Sequence, residues 1–216
     1  MDLDSSDLVG VLDRAGIVAF AFSGVQVGVR RHLDLFGLLV MGVVTATGGG
    51  VIRDAILDRM PLVLANPDYL AWAAGGSAAA ILLIWRRARY PRFVLAIAEA
   101  GGLGAFATAG ALAAIGAGLG WSGVMLMAIV TAVGGGVIRD LLADRVPFVL
   151  HSEVNATAAA LGGLATWAAY DVSNGAATLL GLGVTAMVRV AGVAFDLHLP
   201  HPGEGAAARG ERPRQR

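Results

Sequence analysis

Long apolar segments separated by short polar breaks dominate this chain of 216 residues. A membrane-spanning helix needs roughly 20 predominantly apolar residues, and seven segments approach or reach that length. Their approximate ranges are 8–29, 35–57, 68–85, 93–115, 121–143, 154–170 and 175–195. Pro, Asn, Gly and clustered Arg mark the breaks between them, as they do at helix ends. The pattern predicts an all-α integral membrane protein with seven transmembrane helices.

Composition supports a membrane protein and argues against a soluble enzyme. Hydrophobic residues make up 56% of the chain and charged residues 15%, whereas about 25% of a soluble domain is charged. The formal net charge of zero offers no basic face to nucleic acid, so no nucleic-acid partner is expected. The chain has neither Cys nor Lys, which removes thiolate metal ligands and Schiff-base chemistry. We expect no catalytic residues, no metal, no cofactor and no enzymatic activity.

The distribution of Arg predicts the orientation of the chain. When successive polar loops are placed on alternating sides, eleven Arg residues fall on one side and only Arg59 on the other. Because cytoplasmic loops carry the excess of basic residues, we expect a cytoplasmic C-terminus and an N-terminus outside. Residues 1–200 are predicted to form a single transmembrane domain. Residues 201–216, rich in Gly, Ala, Pro and Arg, are predicted to be a disordered cytoplasmic tail.

An internal repeat with an offset of 86 residues is the strongest signal in the sequence. Between residues 45–64 and 131–150, 14 of 20 positions are identical. The first repeat covers about 8–85, the second about 93–170, and a seventh helix over about 175–195 is extra. Each repeat contains three predicted spans. Because three is odd, the two repeats must insert in opposite senses, which makes them inverted repeats.

A run of three Gly residues lies inside the second and the fifth predicted helix. The runs are Gly48, Gly49 and Gly50 in the first repeat and Gly134, Gly135 and Gly136 in the second. Each Gly weakens a helix by about 1 kcal/mol relative to Ala, and weakened backbone must face protein or a water-filled cavity rather than lipid. The runs therefore mark either the lining and hinges of a solute pathway or sites of close helix packing. Both roles are compatible.

The fourth segment is poor in large apolar side chains and carries a stripe of Ala, Gly and Thr. A helix of this composition suits packing among other helices better than contact with lipid. We expect it at the middle of the protomer or at a contact between protomers.

Charged residues recur at equivalent places in the two repeats. Arg53 and Asp54 follow the first Gly run, and Arg139 and Asp140 follow the second. The rise of 1.5 Å per residue puts Arg53 at the depth of Asp13 and Arg139 at the depth of Glu99. We therefore predict two ion pairs, Asp13–Arg53 and Glu99–Arg139. They either flank a polar pathway, one near each mouth, or act as buried locks between helices.

These features together resemble a known family. Two copies of GGGVIRD, at residues 48–54 and 134–140, each followed by Asp-Arg-x-Pro in a plan of three, three and one helices, are similar to the bacterial branch of the trimeric intracellular cation (TRIC) channels. The resemblance covers about residues 8–195. It implies a homotrimer in the bacterial inner membrane, surrounded by lipid, with one pore per protomer. The first, second, fourth and fifth helices would line that pore, and the Gly runs would kink the second and fifth.

The resemblance also implies conduction of potassium or sodium ions, and two features bear on that function. Animal members carry Lys-Glu-Val where this chain has Ala98-Glu99-Ala100, so their type of voltage response is not expected. The chain lacks a TVGYG-type filter, so sharp potassium selectivity is not expected either. An Arg near each mouth opposes cation entry unless neighbouring carboxylates neutralise it. A hinge at residues 134–136 that moves Arg139 would open or close the path.

A small-solute transporter, for a substrate such as glycine, is the alternative function. Inverted repeats with weakened helices are common in transporters, and helix N-termini beside Arg side chains suit a carboxylate. A purely structural membrane protein is a weaker alternative, because it gives the equivalent charges of the two repeats no purpose.

Overall fold

The computed structural model describes residues 5–86, 92–150 and 154–195, with side chains described for residues 7–86, 99–150 and 154–195. These residues form eight α-helices and one short 3₁₀ helix, and no strand occurs among them. The α-helices are α1 (Ser5–Arg30), α2 (Leu35–Ile56), α3 (Leu62–Ala65), α4 (Pro67–Trp85), α5 (Arg92–Gly116), α6 (Trp121–Leu142), α7 (Val154–Ala169) and α8 (Asn174–Ala194), and the 3₁₀ helix is Phe148–Leu150. The predicted tail, 201–216, lies outside the described residues.

Each of the seven predicted segments coincides with one of the long helices, and only α3 was not foreseen. Five helices in the described part of the chain have the length and hydropathy of a membrane span: 7–30, 35–56, 67–85, 121–142 and 174–194. The all-helical membrane class is confirmed. That α5 and α7 also cross the membrane stays a prediction.

Local sequence signals set several helix ends. The Asp34 side chain accepts a hydrogen bond of 2.7 Å from the backbone N–H of Gly37 and caps α2. Ser173 caps α8 in the same way, accepting from the N–H of Ala176 at 3.0 Å. Asn66 occupies the N-cap position of α4, with Pro67 in the first turn, but its side chain makes no capping bond. The Pro therefore defines this start more than the Asn does.

Helix α5 lies at the centre of the bundle. It packs against α1, α6, α7 and α8, and every residue from 102 to 114 is buried. Most of these residues are Gly or Ala, which lets the surrounding helices approach closely. The expectation that this small-residue segment packs among helices is confirmed.

The Gly runs bring α2 and α6 into direct backbone contact. A Cβ on Gly49 would collide with the carbonyl oxygen of Thr131, and a Cβ on Gly135 would collide with that of Thr45. These two contacts are equivalent under the 86-residue offset. Both helices run unbroken through their Gly runs, because tight interhelical packing compensates the weak helix propensity of Gly.

Replacing Gly49 by Ala is expected to lower the free energy of unfolding by about 1–3 kcal/mol, because the added methyl overpacks the contact with Thr131. Gly75→Ala is the matched control, since Gly75 is also helical and a Cβ there meets nothing within 4 Å. Thermal unfolding of both variants in detergent measures the difference. Equal stability of the two variants would contradict the packing role of Gly49.

Candidate functional site

A fully buried guanidinium organises the end of α2 in the first repeat. Arg53, on α2, donates from Nη1 and Nη2 to the two carboxylate oxygens of Asp13 on α1, both at 2.9 Å. Its Nε donates to Asp54 Oδ1, also at 2.9 Å. The side chains of Arg53, Asp13 and Asp54 are 1%, 4% and 1% exposed. The predicted Asp13–Arg53 ion pair is confirmed, with bidentate geometry that strengthens it.

Asp54 connects this pair to the chain that follows α2. Its Oδ1 accepts from Arg59 at 2.7 and 2.9 Å, and its Oδ2 accepts from the backbone N–H of Leu62 at 3.0 Å. We call Asp13, Arg53, Asp54 and Arg59 the Arg53 cluster. It contains two positive and two negative side chains, so it is formally neutral. The partners are charged and hydrogen-bonded, as burial of ionic groups requires.

Beside this cluster lies a cavity of about 20 Å³, which we call the Arg53 cavity. Asp13, Arg53 and Asp54 line it together with Thr47, Tyr69, Gly50 and apolar side chains. A volume of this size has room for about one water molecule. The Arg53 cavity is therefore too small for a hydrated ion.

The second repeat has a looser version of the same arrangement. Arg139, on α6, donates from Nε to Asp140 Oδ1 at 2.9 Å and from Nη1 to the Ser23 hydroxyl at 2.8 Å. Asp140 Oδ2 accepts from the backbone N–H of Phe148 at 2.8 Å, as Asp54 does from Leu62. The Arg139 side chain is 15% exposed. We call Ser23, Arg139 and Asp140 the Arg139 cluster.

The predicted Glu99–Arg139 ion pair is wrong. Among the described residues, the carboxylate bound to Arg139 is that of Asp140, and the remaining donor is taken by Ser23. Glu99 is exposed and lies in the wall of the neighbouring cavity. The physical reason is local competition, because the adjacent Asp140 and the Ser23 hydroxyl on α1 satisfy the guanidinium without Glu99.

That neighbouring cavity has a volume of about 360 Å³, and we call it the Arg139 cavity. Its charged lining residues are Arg30, Arg139, Arg145, Arg189, Glu99 and Asp140. Four positive and two negative side chains give the lining a formal excess of two positive charges. The cavity is large enough for several water molecules or a small solute.

Every residue that lines the Arg53 cavity has its counterpart, 86 positions away, in the lining of the Arg139 cavity. The counterparts include Asp13 with Glu99, Ile17 with Leu103, Ala46 with Ala132, Gly50 with Gly136, Arg53 with Arg139, and Phe106 with Phe20. The two cavities are therefore equivalent places in the two repeats. The two cavities differ in size. They also differ in one ion pair, because Asp13 on α1 binds Arg53, whereas its counterpart Glu99 on α5 does not bind Arg139.

The six Gly residues have two kinds of surroundings. Gly48 and Gly49 pack against α6, and Gly134 and Gly135 pack against α2. The third Gly of each run, Gly50 or Gly136, lines a cavity. A Cβ there would lie 3.7 Å from Nη2 of the Arg three positions later. Gly at this position leaves the guanidinium room beside the helix.

Sequence reasoning missed two members of these clusters and one aromatic contact beside them. The distribution of Arg placed Arg59 only in a loop. Its equivalence to Arg145, in the repeated Asp-Arg-x-Pro, is the signal that could have identified it. Ser23 carries no such signal, because its counterpart is Ala109. Phe20 and Phe106 are equivalent under the offset of 86, but that equivalence does not predict their contact. Within the part of the chain that the structure describes, no group of acidic and His side chains is arranged to hold a metal ion.

An apolar helical bundle with two equivalent charge clusters, each beside a cavity, defines an α-helical integral membrane protein with an internal repeat. Comparison with known proteins specifies the family. The family described as Glycine transporter matches residues 10–86 and 96–171. The Escherichia coli K12 inner membrane protein YadS, of the UPF0126 group, is 39% identical over 197 residues, which cover 89% of this chain and 95% of YadS. A UPF0126 membrane protein of Deinococcus radiodurans is 47% identical over 159 residues, 72% of this chain and 74% of that protein.

Solved structures of TRIC channels resemble this chain. A prokaryotic TRIC channel crystallised in 0.5 M KCl superposes with a TM-score of 0.80 at 32% identity, over 90% of this chain and all of that chain. The TRIC orthologue of Rhodobacter sphaeroides superposes with a TM-score of 0.78 at 32% identity, over 88% and 98% of the two chains. This chain belongs to the bacterial TRIC channel family. The likeness supports a cation channel in the bacterial inner membrane and points to a non-enzymatic protein.

Replacing Arg53 by Gln is expected to lower the free energy of unfolding by about 3–5 kcal/mol, because it leaves the buried Asp13 carboxylate without a cation. Arg139→Gln is the matched control, and a smaller loss is expected because the Arg139 side chain is partly exposed. Thermal unfolding in detergent compares the two variants.

The double variant Asp13→Asn with Arg53→Gln is expected to lose less stability than the two single variants added together, because it leaves no lone buried charge at this pair. Additive losses, or an equal loss for Arg53→Gln and Arg139→Gln, would contradict a tight Asp13–Arg53 pair.

Proposed function

We propose that this protein is a channel for monovalent cations, permeable to potassium, with one pathway per protomer of a homotrimer. The observation that carries the proposal is the pair of equivalent cavities, one beside Arg53 and one beside Arg139, within a bundle whose fold matches TRIC channels. The pathway runs from the Arg139 cavity, between α1, α2, α5 and α6, to the Arg53 cavity. In this proposal the Arg139 cavity is the wide part of the pathway and the Arg53 cavity is a narrow part.

An inverted repeat of three membrane-spanning helices, with α8 as the seventh span, underlies this pathway. The equivalent lining of the two cavities supports it, as do the reciprocal contacts of Gly49 and Gly135. Asp58 and Asp144, also 86 positions apart, share a left-handed backbone with φ of 52° and 50°. Inversion places the Arg53 cluster toward the outside and the Arg139 cavity toward the cytoplasm, with the C-terminus cytoplasmic.

The charges beside the two cavities favour weak rather than sharp selectivity for cations. The Arg53 cluster is formally neutral, so it presents only a modest barrier to a cation. The Arg139 cavity carries a positive excess, which opposes cations and is only partly offset by Glu99 and Asp140. Asp13, Asp54, Glu99 and Asp140 are thus the carboxylates that make cation passage feasible beside Arg53 and Arg139.

The purified protein, reconstituted in planar bilayers under a potassium chloride gradient, is expected to give unitary currents. Their reversal potential should lie closer to the potassium than to the chloride equilibrium potential, because carboxylates flank both Arg residues. Currents that reverse at the chloride potential would contradict a cation channel.

A glycine-like transporter is the second candidate, because the Arg-rich Arg139 cavity also suits a carboxylate and the matching family is described as Glycine transporter. Counterflow of radiolabelled glycine into liposomes tests it with the same preparation. Silent bilayers together with glycine counterflow would replace the channel by a transporter. Arg139 would then be the candidate carboxylate-binding group.

We further propose that the third Gly of each run acts as a hinge that moves the neighbouring Arg. Gly136→Ala is expected to change the ratio of open to closed channels by about fivefold, the equivalent of the roughly 1 kcal/mol difference in helix propensity between Gly and Ala. The added Cβ makes only ordinary contacts, so folding should be retained. Gly183→Ala in α8 is the control, since nothing lies within 4 Å of its Cβ. Unchanged gating in Gly136→Ala bilayer recordings would contradict the hinge.

A further inference from the structure

Two aromatic rings in contact with each other line the two cavities, one ring in each. Phe20, on α1, lines the Arg139 cavity, and Phe106, on α5, lines the Arg53 cavity. Their ring centroids are 4.9 Å apart and their planes are tilted by 54°. The rings are therefore in contact, and each ring faces one of the two cavities.

The two repeats build this contact reciprocally. Phe20 and Phe106 are 86 positions apart, so each repeat supplies one ring. A Cβ on Gly16 would lie 2.5 Å from the Phe106 ring, and a Cβ on Gly102 would lie 3.4 Å from the Phe20 ring. Gly16 and Gly102 are again 86 positions apart. Each repeat thus supplies a ring and a glycine beside the ring of the other. Only at Gly16 does the ring occupy the space of a Cβ, because the Gly102 contact is of ordinary length.

The layer around the rings is apolar, whereas both cavities are charged. Ile17 lines the Arg53 cavity and Leu103, its counterpart, lines the Arg139 cavity, and both are buried. Together with the two rings they form a four-residue apolar layer. Asp13 and Arg53 lie on one side of it, and Glu99 and Arg139 lie on the other. A polar pathway interrupted by one narrow apolar layer is the arrangement that excludes water and ions by dewetting.

We propose that Phe20 and Phe106 form an aromatic gate at the centre of the protein, and that passage between the two cavities requires the rings to separate. The inference rests on the proposed channel function, because it identifies the residues that block that pathway between the two cavities. The gate is distinct from the charge cluster at Arg53 and from the third Gly of each run. Its barrier comes from dry contact between rings rather than from charge.

Chemical labelling tests the barrier without requiring a current. The chain has no Cys, so Thr47→Cys places a single thiol in the wall of the Arg53 cavity. In proteoliposomes, a water-soluble methanethiosulfonate reagent is expected to react with this thiol up to about tenfold faster when Phe20→Ala is added, the factor that corresponds to the attraction lost from an aromatic pair. Phe20→Leu keeps the layer apolar and should raise the rate less. An unchanged rate in folded Phe20→Ala would overturn the gate.

Leu112→Ala is the matched control for a loosened core. Leu112 is buried on α5, as Phe106 is, but it lines neither cavity. Labelling at Thr47→Cys should stay at the original rate in this background. A rise as large as that caused by Phe20→Ala would assign the effect to general loosening and overturn the gate.

Bilayer recordings of Phe20→Ala complete the test and separate the two proposals. A higher open probability than that of the unmodified protein supports both the gate and the channel. Faster labelling with no current from either protein supports the barrier between the cavities but contradicts the channel function. An unchanged open probability in a conducting Phe20→Ala protein would overturn the gate.

Discussion

The burial of Arg53 inside an apolar helix bundle is the constraint on which much of this structure depends. A guanidinium cannot lose its charge in a protein, so its surroundings must neutralise it. Asp13 reaches it from α1 and Asp54 from α2 itself. Asp54 also holds Arg59 and the backbone N–H of Leu62. One buried charge thereby fixes the packing of α1 on α2 and the course of the chain into α3.

The same requirement appears in the second repeat, where it is met differently. Asp140 again binds the Arg before it and a backbone N–H eight residues later. The acid on the neighbouring helix, Glu99, does not take part, and Ser23 replaces it. A hydroxyl holds a guanidinium less strongly than a carboxylate does. Arg139 is therefore less firmly held than Arg53, as its greater exposure indicates.

Much of the fold could be predicted from the sequence because it depends on periodic or repeated features. The seven long helices follow from the lengths of the apolar segments and the polar breaks between them. The Asp13–Arg53 pair follows from the rise per residue of a helix. The pairing of Arg139 could not be predicted in the same way. It depends on whether Glu99 or Ser23 lies nearer the guanidinium, which is decided by small differences in how α1 and α5 cross the bundle. Helix α3, only four residues long, has no periodicity to detect.

The unequal sizes of the two cavities have an explanation in the sequence. The second half of α1 contributes Ser23, Gln26 and Arg30 to the wall of the Arg139 cavity. The counterparts on α5 are Ala109, Leu112 and Gly116.

Of these counterparts, Ala109 and Leu112 are buried in the apolar core. Helices α7 and α8 pack against α5. Other helices therefore enclose these two positions of α5, which correspond to polar, cavity-lining positions of α1. Helix α8, the seventh long helix, has no counterpart in the repeat. Its packing against α5 thus makes the surroundings of α5 different from those of α1. A polar α1 leaves the Arg139 cavity open, whereas the apolar, enclosed α5 offers no polar wall to enlarge the Arg53 cavity.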